Sequence, residues 1–233
     1  SVGEECGLHG AKNADYSKLK GKMAVVFDMG GDIGTTCYTC PGQVNFEFEI
    51  FGKTAHAGLE PEAGVSAIMA AAEGVSHMKL LRVDEETTAN IGTFKAEGPT
   101  NIVSSYAKVI AEARSTDLTK LEQQEKDMVK AMQDACDRHG ATLKYTTARS
   151  YNPYKVTPED KVCQLLEKAY RALNCEVHYV RSGGGCDSNI HNEHGIQSVG
   201  IGIGMVKAHT GQENIAVDQL NKTALLALEL MKA

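Results

Sequence analysis

The sequence lacks an excess of basic residues, and it lacks long apolar runs. Lysine and arginine number 24 against 30 aspartates and glutamates, so the formal net charge at pH 7 is -6. Nucleic acids and anionic membranes attract basic surfaces, and this charge gives neither of them electrostatic support. No apolar run approaches the roughly 18–20 residues that span a bilayer, and no signal-peptide pattern opens the chain. We therefore expect no nucleic-acid partner and no membrane partner.

Regular cysteine spacing is absent too. The seven cysteines are scattered and odd in number, which is typical of a reducing cytoplasm rather than of secretion. Cys37 and Cys40 have the C-x-x-C spacing of a zinc or redox site, but two further soft ligands do not follow at a matching spacing. We interpret the pair as two reduced thiols near a domain junction, and we expect a cytoplasmic protein.

The composition is that of a soluble globular protein, with 42% hydrophobic and 23% charged residues. Near the start, the apolar run 22–27 between glycines predicts a strand buried on both faces, as in a parallel α/β sheet. Asp28 would then end this strand, where open α/β sheets place ligands. A helix start is indicated at Thr157-Pro158-Glu159-Asp160, which offers an N-cap residue, a proline at the first helical position and an acidic first turn. Strands are expected near 176–181 and 197–203, and a closing helix over 218–231.

The middle of the chain has a different pattern. Apolar and polar residues alternate from 43 to 51, which predicts a strand in a sheet with one solvated side. The elements expected next are a helix over 61–80, strands near 88–95 and 106–114, a helix capped by Asp117 and ended by Gly140, and a strand near 142–148. This β-α-β-β-α-β order is that of a ferredoxin-like sandwich. We predict a small α+β domain, 42–150, inserted into a larger α/β domain made of 1–41 and 151–233.

A few polar residues stand out by context. Glu4 and Glu5 are adjacent carboxylates before a glycine-rich turn, where one can bind a metal and the other can hold a proton. Arg181 and the glycines 183–185 suit close backbone approach to a ligand and pairing with a carboxylate. His56 suits hydrogen bonding to an oxyanion. By spacing alone, the two glutamates are more typical of a solvated turn and the Arg181 glycine loop of a flexible turn, whereas His56 fits an exposed loop equally well.

Six short segments, in this order and covering nearly the whole chain, resemble a family of metallopeptidases. The segments are VGEECGLHGA from Val2, GKTAHAG from Gly52, PTNIV from Pro99, EARS from Glu112, SGGGCDSN from Ser182 and HTGQENI from His209. The family includes peptidase T, the aminoacylases and related di-zinc exopeptidases, and the match is closest to peptidase T-like proteins. The resemblance implies part of a zinc-exopeptidase-like α/β catalytic domain with an inserted ferredoxin-like lid and dimerisation domain. It also implies a metal-dependent exopeptidase, an aminopeptidase acting on short peptides.

The resemblance also implies a role for individual residues. Glu4 resembles the general base that takes a proton from the attacking water and passes it to the leaving amine. Glu5 and His209 resemble two ligands of one zinc ion, and Asp28 resembles a ligand of a second, with manganese or cobalt as possible substitutes. His56 resembles a histidine that reaches the partner subunit's site and helps to hold the oxyanion, so a homodimer through the inserted domain is expected.

Residues for holding the substrate are implied in the same way. Asn101, Arg181 and the loop Gly183, Gly184 and Gly185 resemble groups that bind the substrate's backbone or carboxylate.

One departure from the family pattern qualifies these expectations. The family takes a histidine from an H-x-D motif and a bridging aspartate from a later loop, both upstream of the Glu-Glu pair, and neither is found here. A catalytic zinc ion usually has about three protein ligands, so we expect this chain to bind metal weakly and to be inactive alone. Two alternatives stay open: an amidase or deacetylase of N-acyl amino acids in the same family, and a non-catalytic dimerisation module.

Overall fold

The structure, a computed structural model, describes residues 1–232 and divides the chain into two compact units. Unit 1 is formed by Ser1–Pro41 and the chain from Tyr151 onward, and unit 2 is Gly42–Ser150. The helices are α1 (His9–Lys12), α2 (Ala67–His77), α3 (Leu118–His139), α4 (Lys161–Ala172), α5 (Asp187–Glu193) and α6 (Val217–Leu230). The strands are β1 (Met23–Gly30), β2 (Thr35–Cys40), β3 (Gly42–Phe51), β4 (Leu81–Arg82), β5 (Thr87–Lys95), β6 (Tyr106–Ser115), β7 (Thr142–Tyr151), β8 (Tyr154–Lys155), β9 (His178–Arg181), β10 (Gln197–Val206) and β11 (Asn214–Ile215).

Unit 2 is a five-stranded sheet packed against two helices. Its strand order is β4-β5-β6-β3-β7, and β3 pairs with β6 in antiparallel register from Gly42↔Ser115 to Phe51↔Tyr106. The apolar side chains of β3 point into the core, as the alternation predicts, and α2 and α3 cover them. The Asp117 carboxylate accepts a hydrogen bond from the Lys120 N–H at 3.0 Å and caps α3, which ends at Gly140 with φ 70°. The ferredoxin-like α+β expectation is confirmed.

One helix of unit 2 is shorter than its sequence pattern predicts. The stretch expected to be helical from 61 contains a single 3-10 turn, Pro61–Ala63, and then extended backbone at Gly64. The α-helix starts only after Ser66, whose hydroxyl accepts a hydrogen bond from the Met69 N–H at 3.3 Å. The N-cap decides the start of the helix, because it satisfies a backbone donor that the helix itself leaves free.

Unit 1 is built on a mixed sheet in the order β1-β10-β2-β8, with β9 beside β2 and β11 beside β10. Strand β1 runs parallel to β10, whereas β2 runs antiparallel to it. The helices α4, α5 and α6 all contact β10, which places this strand at the centre of the unit. The core contains the buried side chains of Val162, Leu166, Tyr170, Ile201 and Leu226, among others. The α/β fold class is therefore confirmed for this unit as well.

Three expectations for unit 1 were wrong in detail. Strand β1 is half-buried rather than buried on both faces, because β10 is the one strand that pairs with it in the described chain. Asp28 lies within β1, where the register shifts between Phe27 and Met29, rather than at its end. Thr157 does not cap α4. The Asp160 carboxylate accepts a hydrogen bond from the Thr157 N–H at 2.8 Å, which closes a turn and makes Asp160 the residue that precedes the helix.

No helix within residues 1–232 combines the length and the apolar character needed to cross a membrane.

Candidate active site

The adjacent glutamates Glu4 and Glu5 lie in a tight turn ahead of α1. The Glu4 carbonyl accepts hydrogen bonds from the N–H groups of Gly7 at 3.0 Å and Leu8 at 2.9 Å. Gly7 has φ 111°, a left-handed conformation that glycine adopts without steric cost. The turn therefore fixes the backbone beneath both carboxylates, with Glu4 half-buried and Glu5 exposed.

Glu4 holds its proton more tightly than an ordinary glutamate. Burial, followed by the charges of Asp28, Glu5 and Asp187, raises the pKa of Glu4 from 4.5 to about 7. A low-dielectric setting and like charges both disfavour the carboxylate form. A carboxyl group with a pKa near 7 exchanges its proton readily at neutral pH, which is the property of a general acid–base group.

Asp28 experiences the same environment from the first strand of the sheet. Burial first, then the negative charges of Glu5 and Asp187, raises the pKa of Asp28, while His209 acts in the opposite direction. Glu4, Glu5, Asp28 and Asp187 thus form one group of interacting carboxylates, named here the acidic cluster. The structure brings together four residues singled out in the sequence: Glu4, Glu5, Asp28 and His209.

His209 is the histidine that contacts the acidic cluster. Its Nε2 atom lies 3.4 Å from Oε2 of Glu5, and both side chains are largely exposed, at 70% and 67%. The His209 backbone has φ 63°, and its N–H donates a hydrogen bond to the Glu213 carboxylate at 2.8 Å. Two ligands placed about 2.1 Å from a tetrahedral zinc ion stand roughly 3.4 Å apart. The separation between Glu5 and His209 is compatible with two ligands of one metal ion, and it is also that of an ion pair.

Asp187 is a member of the acidic cluster that the sequence did not single out. It is the first residue of α5 and is 6% exposed. Its Oδ2 atom lies 3.3 Å from the amine of Ser1, whereas Oδ1 is buried without a hydrogen-bond partner among the described residues. The one signal for it in the sequence is its place directly after the three glycines 183–185 and Cys186.

A complete metal site does not follow from these contacts. Within residues 1–232, no group of three or more His, Cys, Asp or Glu side chains is placed to hold a metal ion. Glu5 and His209 fit two positions of a zinc site, and the donors that would complete it are not found in the described chain.

The glycine loop after β9 carries the second group of candidate residues in unit 1. Arg181, at the end of β9, donates a hydrogen bond from Nε to the Tyr38 hydroxyl at 2.7 Å. A side chain at Gly185 would overlap the Tyr151 ring, so this position admits only glycine, whereas a Cβ at Gly183 would meet open space. Gly184 lies between them in the same loop, which therefore presents backbone with little side-chain cover.

His56 and Asn101 lie close to each other in unit 2. The Ala57 N–H donates a hydrogen bond to the Asn101 carbonyl at 2.9 Å. The Nδ1 atom of His56 accepts hydrogen bonds from the N–H groups of Gly58 at 3.1 Å and Leu59 at 3.2 Å. Because Nδ1 is an acceptor, the neutral ring carries its proton on Nε2, which makes Nε2–H a donor on an exposed side chain.

The protonation of Glu4 predicts how stability depends on pH. Between the unfolded value of 4.5 and the folded value of about 7, the folded chain binds more protons than the unfolded chain. The free energy of unfolding should therefore fall as pH rises through this window. Glu4→Gln removes this dependence and should stabilise the chain relative to the unmodified protein at pH 8, with little gain at pH 5.

Urea denaturation in the presence of a chelator measures this difference at the two pH values. Glu159→Gln, which removes an exposed carboxylate of the same unit, is the matched control. Its change in the free energy of unfolding should be the same at pH 5 and at pH 8. Partial exposure of Glu4 makes the effect modest. An equal stability change for Glu4→Gln at pH 5 and pH 8 contradicts the assignment.

Known proteins resemble the chain in sequence and in structure. Residues 39–140 match the M20 family profile described as a peptidase dimerisation domain. The chain is 38% identical over 232 residues to the uncharacterized protein YqjE of Bacillus subtilis, and this match covers all of the chain and 62% of the relative.

Two solved structures are similar over the whole chain. Aminopeptidase PepT from Bacillus cereus is 37% identical with a TM-score of 0.94, and a tripeptidase from Staphylococcus aureus is 39% identical with a TM-score of 0.95. The chain spans 62% of the length of each of these proteins. Residues 39–140 thus match the M20 peptidase dimerisation domain, and the chain over its full length is similar to peptidase T-like proteins.

Proposed function

We propose that the protein containing this chain is a metal-dependent exopeptidase, an aminopeptidase that acts on short peptides. The observation that carries the proposal is the Glu5–His209 pair, 3.4 Å apart, beside a glutamate with a pKa of about 7. The similarity to an aminopeptidase and to a tripeptidase over the whole chain supports the same activity. Because the chain spans 62% of those proteins, the proposal concerns the whole protein.

Glu4 is proposed as the general acid–base group. Its carboxylate takes a proton from the attacking water, and the resulting carboxylic acid gives that proton to the leaving amine. A pKa near 7 makes both transfers accessible at neutral pH. Glu5 and His209 would hold one zinc ion and Asp28 a second, with manganese or cobalt as substitutes. Polarisation of the scissile carbonyl is the chemistry that such metal ions supply when bound.

Several residues are proposed to hold the substrate or its oxyanion. Arg181 is proposed to pair with a substrate carboxylate, and the bare backbone of Gly183–Gly185 to lie along the peptide. Asn101 is proposed to bind the substrate's backbone. His56 is proposed to donate its Nε2–H to the developing oxyanion in the site of a partner subunit, since its Nδ1 atom is already occupied by two backbone donors.

The partner subunit is proposed to be a second copy that pairs through β7. The sheet of unit 2 ends in β7 on one side and in the two-residue strand β4, beside β5, on the other. β5 is covered at its start by β4 and interrupted by a register shift between Ile91 and Thr93. β7 is ten residues long and mostly exposed. An open, regular edge of this kind pairs with an identical edge across a two-fold axis.

We further propose a cytoplasmic location. All seven cysteines are free thiols, and five of them are buried, which fits a compartment that keeps thiols reduced.

Hydrolysis of a panel of di- and tripeptides with zinc, manganese or cobalt tests the proposed activity. The 233-residue chain is assayed beside a longer product of the same gene that covers the full length of its relatives. We expect the longer protein to be active and the 233-residue chain to be inactive. Glu4→Gln should lower the kcat of the longer protein by a factor of about 10²–10⁴. Glu159→Gln serves as the matched control and should keep full activity.

Blocked substrates separate the proposed peptidase from the alternatives. N-acyl amino acids are assayed in parallel, because they lack the free amine that an aminopeptidase requires. Cleavage of these substrates alone would replace the peptidase by an amidase or deacetylase. Absence of hydrolysis in both proteins would favour a non-catalytic dimerisation module.

The dimer is tested with one substitution on each edge of the sheet. Thr146→Lys places lysines near each other when two β7 strands pair, and like charges across strands cost roughly 0.2–1 kcal/mol per pair. Thr93→Lys adds the same charge at an exposed position on β5. Sedimentation equilibrium should show weaker dimerisation for Thr146→Lys and unchanged dimerisation for Thr93→Lys. The reverse order would place the interface on β5.

A further inference from the structure

Three cysteine thiols converge in the core of unit 1, and one of them, Cys186, directly precedes Asp187 of the acidic cluster. Cys37 and Cys40 lie on β2, and Cys186 precedes α5; their exposures are 0%, 0% and 2%. The sulfur atoms of Cys37 and Cys40 are 3.4 Å apart. The Cys186 thiol is hydrogen-bonded to Cys40. The proposed peptidase chemistry makes no use of these thiols.

A β-bulge explains why Cys37 and Cys40 meet. In a regular strand, side chains three positions apart point to opposite faces. In β2, Cys37 lies opposite Val180 and Thr39 lies opposite Arg181 on the neighbouring strand, so Tyr38 is an extra residue. The extra residue reverses the alternation, and both thiols of the C-x-x-C segment point to the same side.

The two thiols are chemically unlike. Hydrogen bonding from the Cys40 thiol, as the largest cause, lowers the pKa of Cys37. Hydrogen bonds with Cys186 and Cys37, together with burial, raise the pKa of Cys40 far above its usual range. A pair in which one sulfur favours the thiolate and the other keeps its proton is suited to disulfide chemistry, because the thiolate is the nucleophile.

A short strand covers the pair. The two-residue strand β8 pairs with Thr39 and Cys40, and its Tyr154 hydroxyl accepts a hydrogen bond from the Cys40 thiol and donates one to the Cys37 carbonyl. Because both sulfur atoms are buried, a small oxidant reaches them only when this segment opens locally, which proteins do without global unfolding.

We propose that Cys37 and Cys40 are a redox-active pair that closes to a disulfide on reaction with a peroxide. The Cys37 thiolate attacks one peroxide oxygen, the O–O bond breaks, and Cys37 becomes a sulfenic acid as the other oxygen leaves as water. The Cys40 sulfur then attacks the Cys37 sulfur, loses its proton and expels a second water molecule. Overall, two thiols and one hydrogen peroxide give one disulfide and two waters.

Cys186 is not the partner of either thiol in this bond. Its backbone N–H donates a hydrogen bond to the Asn189 side chain at 3.0 Å, which fixes Cys186 at the start of α5. Closing the pair requires the sulfur atoms of Cys37 and Cys40 to move from 3.4 Å to about 2.05 Å apart.

The test treats the folded 233-residue chain with hydrogen peroxide, alkylates the remaining thiols under denaturing conditions and maps the peptides by mass spectrometry. We expect the peptide that contains Cys37 and Cys40 to be lighter by two hydrogens and to carry no alkyl group, and dithiothreitol to restore both thiols. Exposed Cys6 is the internal reference, because its oxidation shows that the oxidant was effective.

Matched variants locate the bond. Cys37→Ala and Cys40→Ala should each abolish it, whereas Cys186→Ala and Cys163→Ala should retain it; Cys163 is a buried thiol in the same core but outside the cluster. Circular dichroism checks that each variant is folded. Full alkylation of Cys37 and Cys40 in samples where Cys6 is oxidised overturns the proposal, and so does a disulfide between Cys186 and either thiol.

Discussion

The burial of closely spaced carboxylates is the constraint on which the candidate active site depends. Four acidic side chains interact in unit 1. Burial is the largest cause that raises the pKa values of Glu4 and Asp28, because it weakens the solvation of the charged form, and the negative charges of neighbouring carboxylates add to it. His209 lies against Glu5. A site of this kind gains stability from bound cations, and the separation of Glu5 from His209 is suited to one.

The scaffold of unit 1 uses irregular strands to assemble both of its chemical centres. The register shift in β1 lies at Asp28, and the bulge in β2 turns Cys37 and Cys40 to one side. Bulges redirect side chains at the cost of ladder hydrogen bonds, and they occur where a strand serves a site as well as a sheet. The bulged residue Tyr38 also accepts the hydrogen bond from Arg181, so the thiol pair adjoins the proposed substrate-binding loop.

The elements predicted best from sequence are those whose signals are local and strong. The alternation in β3 and the Asp117 cap with Gly140 at the end of α3 specify unit 2 without long-range information. β2 was not predicted, since TTCYTC has no polar–apolar contrast. Asp187 was not singled out, because a lone aspartate after glycines has no characteristic spacing. The convergence of Glu4, Glu5, Asp28 and His209 depends on contacts between distant segments, so composition and periodicity could not show it, and family resemblance was needed.

The most direct test of the account is the zinc affinity of the chain, measured by competition with a chromogenic chelator. Glu5 and His209 are the two ligands proposed for one zinc ion, and loss of even outer partners weakens zinc binding about 10–100-fold. We therefore predict binding at least about 100-fold weaker than that of the longer protein from the same gene. Glu5→Gln should remove the remaining binding, and Glu159→Gln should not. Equal zinc affinity in the 233-residue chain and the longer protein would contradict the account, because the described residues would then hold a complete site.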